Sequence, residues 1–262
     1  MTWVPECALV TGATSGIGEA AALALVEAGV GTVIVVGRDA RRAEGVCARI
    51  EELRSSGEIV LADLSEAAAA DAIFAEIDRR GLLVDSLVNA AGLTTRTEIL
   101  DIDLADYEAL FAVNVRSPVL LFGRFAKRLR RAGAPGTVVD VLSNAMHGGA
   151  PDISVYSMTK AALGIHTRNA AYALQNDGIR VNGLAMGWTL TPGEDTVMRS
   201  THGAGDGWET DYAGRRPLGR LMRSAEVARA IRFLATGESS PMTGSIVTFD
   251  QVATGITDLH PH

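Results

Sequence analysis

The first thirty residues constrain the fold more than any other stretch. Cys7-Ala8-Leu9-Val10 is a short apolar run of strand character. Thr11-Gly12-Ala13-Thr14-Ser15-Gly16-Ile17-Gly18 follows as a glycine-punctuated turn, and Glu19 to Val26 has the alanine-rich composition of a helix. A strand that passes through such a turn into a helix gathers free backbone N–H groups and the positive helix end at one point, where a pyrophosphate can sit. The spacing is G-x-x-x-G-x-G, so it shares the mechanism of the G-x-G-x-x-G dinucleotide fingerprint but not its letters. A glycine turn also serves, in many chains, only to let a helix pack closely on a strand.

Beyond this unit, strand-like and helix-like segments alternate. Strands are predicted near Ala8–Val10, Val33–Val36, Ile59–Leu61, Ser86–Val88, Val138–Leu142, Arg180–Leu184 and Ile246–Phe249. Helices are predicted over Ala40–Arg54, Ala67–Arg80, Asp103–Arg131, Tyr156–Asn176 and Ser224–Ala235. Alternation of this kind builds a parallel sheet covered by helices on both faces. The expected fold is α/β, a Rossmann-type doubly wound parallel sheet of about seven strands. At 262 residues with 47% hydrophobic content the chain can bury one large core, and no repeat or long linker divides it. Residues 1–262 are expected to form a single domain for dinucleotide binding and catalysis.

A second feature lies in the predicted helix Tyr156–Asn176. Tyr156-Ser157-Met158-Thr159-Lys160 sets a phenol and an ammonium four residues apart, on one helix face, where both can act on one substrate atom. The chain has only two lysines, Lys127 and Lys160, and carries its other basic charge on arginine. A tyrosine that exchanges a proton near neutral pH must lower a reference pKa of about 10 by about three units, about 4 kcal/mol. One cation about 4 Å away at an effective dielectric near 20 supplies an interaction of that size. An ammonium on a flexible stem can also hydrogen-bond a ribose hydroxyl, whereas a guanidinium suits carboxylates and phosphates. The plain alternative is a helix surface where a tyrosine packs and a lysine is solvated.

From about Ala8 to Phe249 the chain resembles the short-chain dehydrogenase/reductase family, in its single-domain branch. The family's glycine motif is matched by Thr11–Gly18, and its Asn-Asn-Ala-Gly segment by Asn89-Ala90-Ala91-Gly92 with Ala90 as the one change. Its catalytic asparagine resembles Asn114, its serine resembles Ser143, and its Tyr-x-x-x-Lys is Tyr156 and Lys160. The resemblance implies an enzyme that interconverts an alcohol and a carbonyl by hydride transfer. In that scheme Tyr156 is the acid–base group, Ser143 hydrogen-bonds the substrate oxygen, Lys160 lowers the tyrosine pKa and holds the ribose, and Asn114 positions a relay water. Implied cofactor contacts are Gly12, Thr14, Ser15, Gly16, Ile17, Gly18, Arg38, Asp63, Leu64, Asn89, Ala90, Gly92, Tyr156, Lys160, Gly187, Thr189 and Thr191. A homotetramer is implied too, with the two long helices Asp103–Arg131 and Tyr156–Asn176 offering faces for symmetric contacts. The chain departs from the family in Leu184–Thr191, where Met186 replaces the usual proline; the freed backbone is expected to loosen the loop over the nicotinamide.

The end of the second strand bears on the cofactor. NAD-selective members of the family usually carry an acidic residue at the position of Gly37, and here Val35-Val36-Gly37-Arg38-Asp39 offers a guanidinium instead. Arg38 can pair a 2′-phosphate in bidentate fashion, where a carboxylate would bind the ribose hydroxyls and repel the phosphate. NADP(H) is the favoured cofactor. NAD(H) is the alternative, since Asp39 can turn toward the ribose or neutralise Arg38. Asp63 resembles the family's adenine-contacting aspartate and equally suits the N-cap of the next helix.

A formal net charge of −7 argues against a nucleic-acid partner. The cluster Arg124, Arg128, Arg130 and Arg131 reads as a solvated helix end. Cys7 and Cys47 are too few for a disulfide framework, and Cys7 reads as a buried strand residue. The start Met1–Glu6 has no basic n-region or apolar h-region, and no run reaches membrane-spanning length. No membrane partner is therefore expected, and a cytoplasmic setting is. His260 and His262 read as a loose polar tail, with no metal expected.

Trp188 to Pro217 is long, polar and glycine-punctuated, as a mobile lid over an active site would be. It holds Glu194, Asp195, His202, Trp208 and Arg215, and it is expected to join Met146-His147-Gly148-Gly149 as pocket wall. Its carboxylates and tryptophan suit a polyhydroxylated substrate, a sugar or polyol; they equally suit a solvated lid or a subunit interface. A 3-oxoacyl or hydroxysteroid substrate fits the same scaffold. A non-catalytic NAD(P)-binding regulatory protein would show a damaged catalytic set, and a nucleotide-sugar epimerase usually has a larger C-terminal region. Neither sign is present in the sequence.

Overall fold

The computed structural model describes residues 2–214 and 216–253. Its strands are β1 (Cys7–Thr11), β2 (Thr32–Gly37), β3 (Ser56–Leu61), β4 (Ser86–Asn89), β5 (Gly136–Ser143), β6 (Ile179–Met186), β7 (Thr189–Leu190), β8 (Met222–Arg223) and β9 (Ile246–Phe249). Seven of them form one parallel sheet in the order β3-β2-β1-β4-β5-β6-β9, and β7 pairs with β8 apart from it. The helices are α1 (Gly16–Glu27), α2 (Ala40–Glu52), α3 (Ala69–Arg79), α4 (Leu104–Phe111), α5 (Ser117–Ala132), α6 (Ser154–Leu174), α7 (Pro192–His202), α8 (Trp208–Ala213) and α9 (Ser224–Ala235). The strand order reverses between β1 and β4, and in such sheets ligands bind in the crevice outside the carboxyl ends at that point.

Strand side chains alternate between the two helical layers. Leu9, Ile34, Leu87, Val138 and Val181 pack with Phe74 of α3, Phe125 of α5 and Leu174 of α6. Val10, Val35, Val88 and Val139 pack with Leu25 of α1, Val46 of α2 and Ile231 of α9. Covered on both faces, these strands read as continuous apolar runs.

Several sequence expectations are corrected. The helical stretch Leu104–Ala132 is long and apolar enough, by length and composition, to cross a membrane, with an 18-residue window of mean hydropathy 1.2. Polar residues interrupt that window in the sequence, which is why no apolar run marks it. Here its Leu110, Leu121, Phe125 and Leu129 are buried in the core. Of the arginines of α5, Arg131 is exposed as expected, but Arg124, Arg128 and Arg130 are engaged with carboxylates. Arg124 makes a two-pronged contact with Asp71, both bonds at 2.6 Å, and Arg130 lies 2.6 Å from Asp177. Arg128 donates to Asp78 and lies 4.6 Å over the Phe74 ring, so packing of α5 on α3 sets cations beside carboxylates. Cys7 and Cys47 are free and buried, and burial pushes their thiols up to about 12 and about 11. His260, His262 and Arg215 lie outside the described residues, as does the side chain of His202.

Candidate active site

The glycine turn between β1 and α1 folds against the end of β4. Gly12 has φ +66°, and a Cβ there would lie 2.8 Å from Ala91 Cα; one on Gly18 would lie 2.3 Å from the Gly12 carbonyl oxygen. The Ala90 and Ala91 amides both donate to Thr11 Oγ1 at 3.1 Å, which fastens the Asn89–Gly92 segment to the turn. Ser15 is the N-cap of α1, yet its side chain makes no capping bond. The first-turn amides of α1 are thus left for an anion, and the close-packed glycines let one approach the backbone. A dinucleotide pyrophosphate fits this cradle. Ile17 is partly buried behind it and Leu64 is buried in the core.

Cofactor-choice residues line the next strand end. A Cβ on Gly37 would lie 2.4 Å from Thr14 Cγ2, so no acidic side chain fits there without moving Thr14. The Arg38 side chain is 76% exposed, with Nη1 3.6 Å from Asp63 Oδ2. Asp39 caps α2, accepting from the Arg42 amide at 3.0 Å, and lies 3.5 Å from Arg42 Nε. It is therefore engaged away from Arg38. Asp63 does not cap α3, whose N-cap is Ala68. It closes a turn instead, accepting from the Ser65 amide at 2.9 Å and its hydroxyl at 2.8 Å, and those bonds hold its carboxyl below the usual range.

The reactive groups converge beside this cradle. Ser143 ends β5, and Tyr156 and Lys160 stand one turn apart on α6. Lys160 is 4% exposed; its Nζ donates to the Val141 carbonyl at 2.8 Å and lies 5.7 Å from the centre of the Tyr156 ring. A Cβ on Gly92 would lie 3.6 Å from Lys160 Nζ and 3.8 Å from Asn114 Oδ1, so these three residues meet. Asn114 lies in a π-helical turn, Ala112–Arg116, between α4 and α5. Such turns occur frequently at functional sites. Its Oδ1 accepts from the Leu93 amide at 2.8 Å, and its Nδ2 donates to the Leu93 carbonyl at 2.9 Å and Thr159 Oγ1 at 3.1 Å. Both amide protons are taken, so the side chain acts as a clamp between Leu93 and Thr159.

The protonation pattern differs from the one expected. Burial holds the Tyr156 phenol above its ordinary value, and the Glu194 carboxylate adds to this. Hydrogen bonds from Ser143 and Thr94 oppose it. Burial also brings the Lys160 ammonium down to about 8. The sequence led us to expect a cation about 4 Å from the phenol that lowers its pKa; in the folded chain both groups lose water, and burial is the largest influence on each. Thr94, whose hydroxyl bonds the Tyr156 phenol, is a site residue that the sequence reading did not name. Its one signal is a hydroxyl two residues beyond Gly92.

Residues 12–253 match the family model described as enoyl-(acyl carrier protein) reductase. A solved structure described as a short chain dehydrogenase/reductase family protein superposes with a TM-score of 0.81 at 35% identity, covering 96% of this chain and 98% of that one. The chain belongs to the short-chain dehydrogenase/reductase family. It is also similar to cis-4-hydroxycyclohexanecarboxylate dehydrogenase of Sinomonas cyclohexanicum, 34% identical over 93% of this chain and 94% of the relative. The structure of a gluconate 5-dehydrogenase from Burkholderia cenocepacia in complex with NADP and tartrate has a TM-score of 0.83 at 26% identity, with 94% of each chain covered. This short-chain dehydrogenase/reductase is an NAD(P)-dependent oxidoreductase that interconverts an alcohol and a carbonyl.

The substrate side of the enzyme carries contacts that its sequence did not show. After Met186, the Gly187 amide donates to the Phe249 carbonyl at 3.0 Å, and a Cβ on Gly187 would meet the Asp250 carboxylate. Asn144, beside Ser143, donates to Asp250 Oδ2 at 2.8 Å. Thr189 sits in β7 and donates to the Gly187 carbonyl at 3.0 Å. Thr191 caps α7 by accepting from the Glu194 amide at 3.0 Å, and its Cβ lies 3.4 Å from where a Gly16 Cβ would stand, so the lid begins on the cradle. Trp188, Trp208 and Tyr212 form an aromatic cluster with ring centres 4.9–6.1 Å apart. Trp208 is 3% exposed and donates to Asp195 at 2.8 Å; it belongs to the lid's own core and is not a substrate contact. Glu194 is held by the Trp188 indole N–H at 2.6 Å, and burial pushes its carboxyl above the usual range. On the opposite wall, Met146 and His147 lie in a short 3₁₀ turn, and the exposed Gly148 and Gly149 have positive φ.

Proposed function

We propose that the enzyme prefers NADP(H) and acts on a polyhydroxylated substrate, a sugar or polyol, as a homotetramer in the cytoplasm. The cofactor reading rests on one observation: an exposed Arg38 guanidinium beside a Gly37 that Thr14 keeps free of any side chain. A guanidinium so placed pairs with a 2′-phosphate, and the nearby ribose position has no carboxylate from Asp39 to compete. The complex of the gluconate 5-dehydrogenase relative with NADP supports the same choice. For the substrate, support comes from Glu194. Its carboxylate acts on the Tyr156 phenol across the pocket, and its Oε1 accepts from the Trp188 indole while the Arg96 charge acts on it as well. A hydroxyl next to the reacting carbon can donate to it.

When bound, the nicotinamide supplies or accepts the hydride. The chain's own residues manage the oxygen and the proton. Ser143 Oγ accepts from the Ala145 amide at 3.2 Å, which leaves its O–H free to donate to the phenol or to a carbonyl oxygen. Tyr156, held protonated by burial, gives its proton to that oxygen in the reducing direction, and Lys160 stabilises the phenolate left behind.

Titration of the protein with NADPH and NADH tests the cofactor reading. NADPH is expected to bind more tightly, and Arg38→Ala should weaken it by about 1.5–3 kcal/mol while leaving NADH nearly unchanged. Tighter binding of NADH to the wild type would overturn the preference. A spectrophotometric screen with both oxidised cofactors against sugars, sugar alcohols, hydroxyacyl thioesters and hydroxysteroids tests the substrate class. Activity on thioesters or steroids with none on sugars or polyols would reject the polyol reading.

A further inference from the structure

Asp140 places a carboxyl group in the apolar interior. Alternation along β5 turns Val138 and Asp140 toward α6, and Val139 and Val141 toward the opposite layer. Asp140 is 1% exposed and sits where an aliphatic side chain would otherwise fill the core. Its Oδ1 accepts from Asn89 Nδ2 of β4 at 2.8 Å, and its Oδ2 from Thr167 Oγ1 of α6 at 2.7 Å. A carboxyl buried this deeply destabilises a fold unless a counter-charge or hydrogen bonds answer it.

The counter-charge comes from the catalytic helix. Lys160 and Thr167 are seven residues apart on α6 and share one face of it. Thr167 holds the Asp140 carboxyl, while the Lys160 ammonium donates to Val141, the next residue along β5. Lys160 forms no ion pair within 4 Å among the described residues, so its charge is not neutralised at contact. Burial raises the Asp140 carboxyl above its ordinary range; the bonds from Asn89 and Thr167 and the charges of His166 and Lys160, both on α6, oppose that rise, and the charge that acts on Lys160 is Asp140. From β4 the facing group is the neutral Asn89, and from β6 the register partner is Gly183. His166 is held below its ordinary value by burial, with its Nε2 buried and unpartnered, so it stays neutral at neutral pH. Lys160 is then the cation that Asp140 answers.

We propose that Asp140 is a positioning residue of the reaction, its carboxylate being the counter-charge that keeps the Lys160 ammonium protonated beneath Tyr156. Without that carboxylate the dry layer between β5 and α6 would favour the neutral amine, and the phenolate formed when Tyr156 gives up its proton would lose its partner.

Because the chain has only two lysines, the test can be direct. Protein labelled with carbon-13 at the lysine ε position has two resonances, and Lys127→Arg assigns them. In the wild type Lys160 is expected to titrate near the value of about 8. In Asp140→Asn, which keeps the side-chain shape, the midpoint should fall by about one pH unit or more, a roughly tenfold weaker hold on the proton. The alkaline limb of the kcat/KM profile should move down with it. A merely structural role would instead lower kcat by one factor at every pH and leave the Lys160 midpoint in place. If Asp140→Asn does not fold, Thr167→Val removes a bond to the carboxylate and should shift the midpoint in the same direction by less. An unmoved Lys160 midpoint in a folded variant would overturn the proposal, and so would a moved midpoint with an unmoved rate profile.

Discussion

At the scale of single residues, the acid–base pair is governed by loss of water more than by mutual attraction. A phenol raised by burial stays protonated through neutral pH, so Tyr156 is a ready acid for carbonyl reduction. In the other direction it must first be deprotonated. Carbonyl reduction should therefore hold steady across neutral pH and decline as Lys160 gives up its proton, near about 8, whereas alcohol oxidation should rise further to the alkaline side, as the raised Tyr156 phenol ionises. Initial rates measured in both directions between acid and alkaline pH check this, and opposite slopes are required. Tyr156→Phe should lose roughly 10²-fold or more in turnover, the usual scale for a general acid, and still bind cofactor. Near-normal turnover in that variant would remove Tyr156 from the mechanism.

At the scale of elements, Glu194 shows how the lid joins the chemistry. Thr191 starts α7 on the glycine cradle, and three residues later Glu194 is fixed by the Trp188 indole with its charge felt at Tyr156. Glu194→Gln should raise KM for a polyol about tenfold or more, the loss of a hydrogen bond to a charged acceptor, with cofactor affinity unchanged. The sign of the pH effect follows from burial. The ionised form accepts the substrate hydroxyl, and the raised carboxyl pKa means that polyol affinity is full above that value and falls as the pH drops through it. A KM that is flat on the acid side would count against the contact. The parallel sheet was legible in the sequence because its strands are buried on both faces and carry uninterrupted apolar runs such as Val33–Val36. Ser224–Ala235 was legible to the residue, since apolar positions recur at helical spacing. The lid was not: β7 and β8 have two residues each, and the cluster of Trp188, Trp208 and Tyr212 is assembled across twenty-odd residues with no period to mark it. The π-turn at Asn114 was hidden too, because its sequence continues the helical pattern on both sides. Asp140 was passed over inside an apolar strand, where a single acidic residue looks like an interruption until α6 is seen to supply its partners.

At the scale of the whole molecule, several of the apolar residues left outside gather on and beside α6. Met158, Ile165 and Tyr172 recur every seven residues along α6 and are 45%, 59% and 77% exposed. A seven-residue step turns a helix by only about 20° from register, so the three form one seam. Beside it, at and before the start of α4, which packs against α6, Leu100 is 97% exposed and Leu104 69%. Full burial of such side chains stabilises by about 1.5–3 kcal/mol each. The seam from two copies would therefore contribute on the order of 10 kcal/mol, comparable to the roughly 4–15 kcal/mol that association costs, so the residues around α4 are needed to make the contact firm. A two-fold axis that sets α6 against α6 and α4 against α4 covers both groups at once. In the proposed homotetramer a second two-fold axis pairs two such dimers, so light scattering at micromolar concentration should give about 110 kDa, four times the 27.5 kDa chain. Ile165→Asp with Tyr172→Asp places charges in the seam and should yield a smaller species with a lower, concentration-dependent melting temperature. A 27.5 kDa wild-type species would contradict the tetramer, and a double variant that stays at full mass would move the interface away from α6.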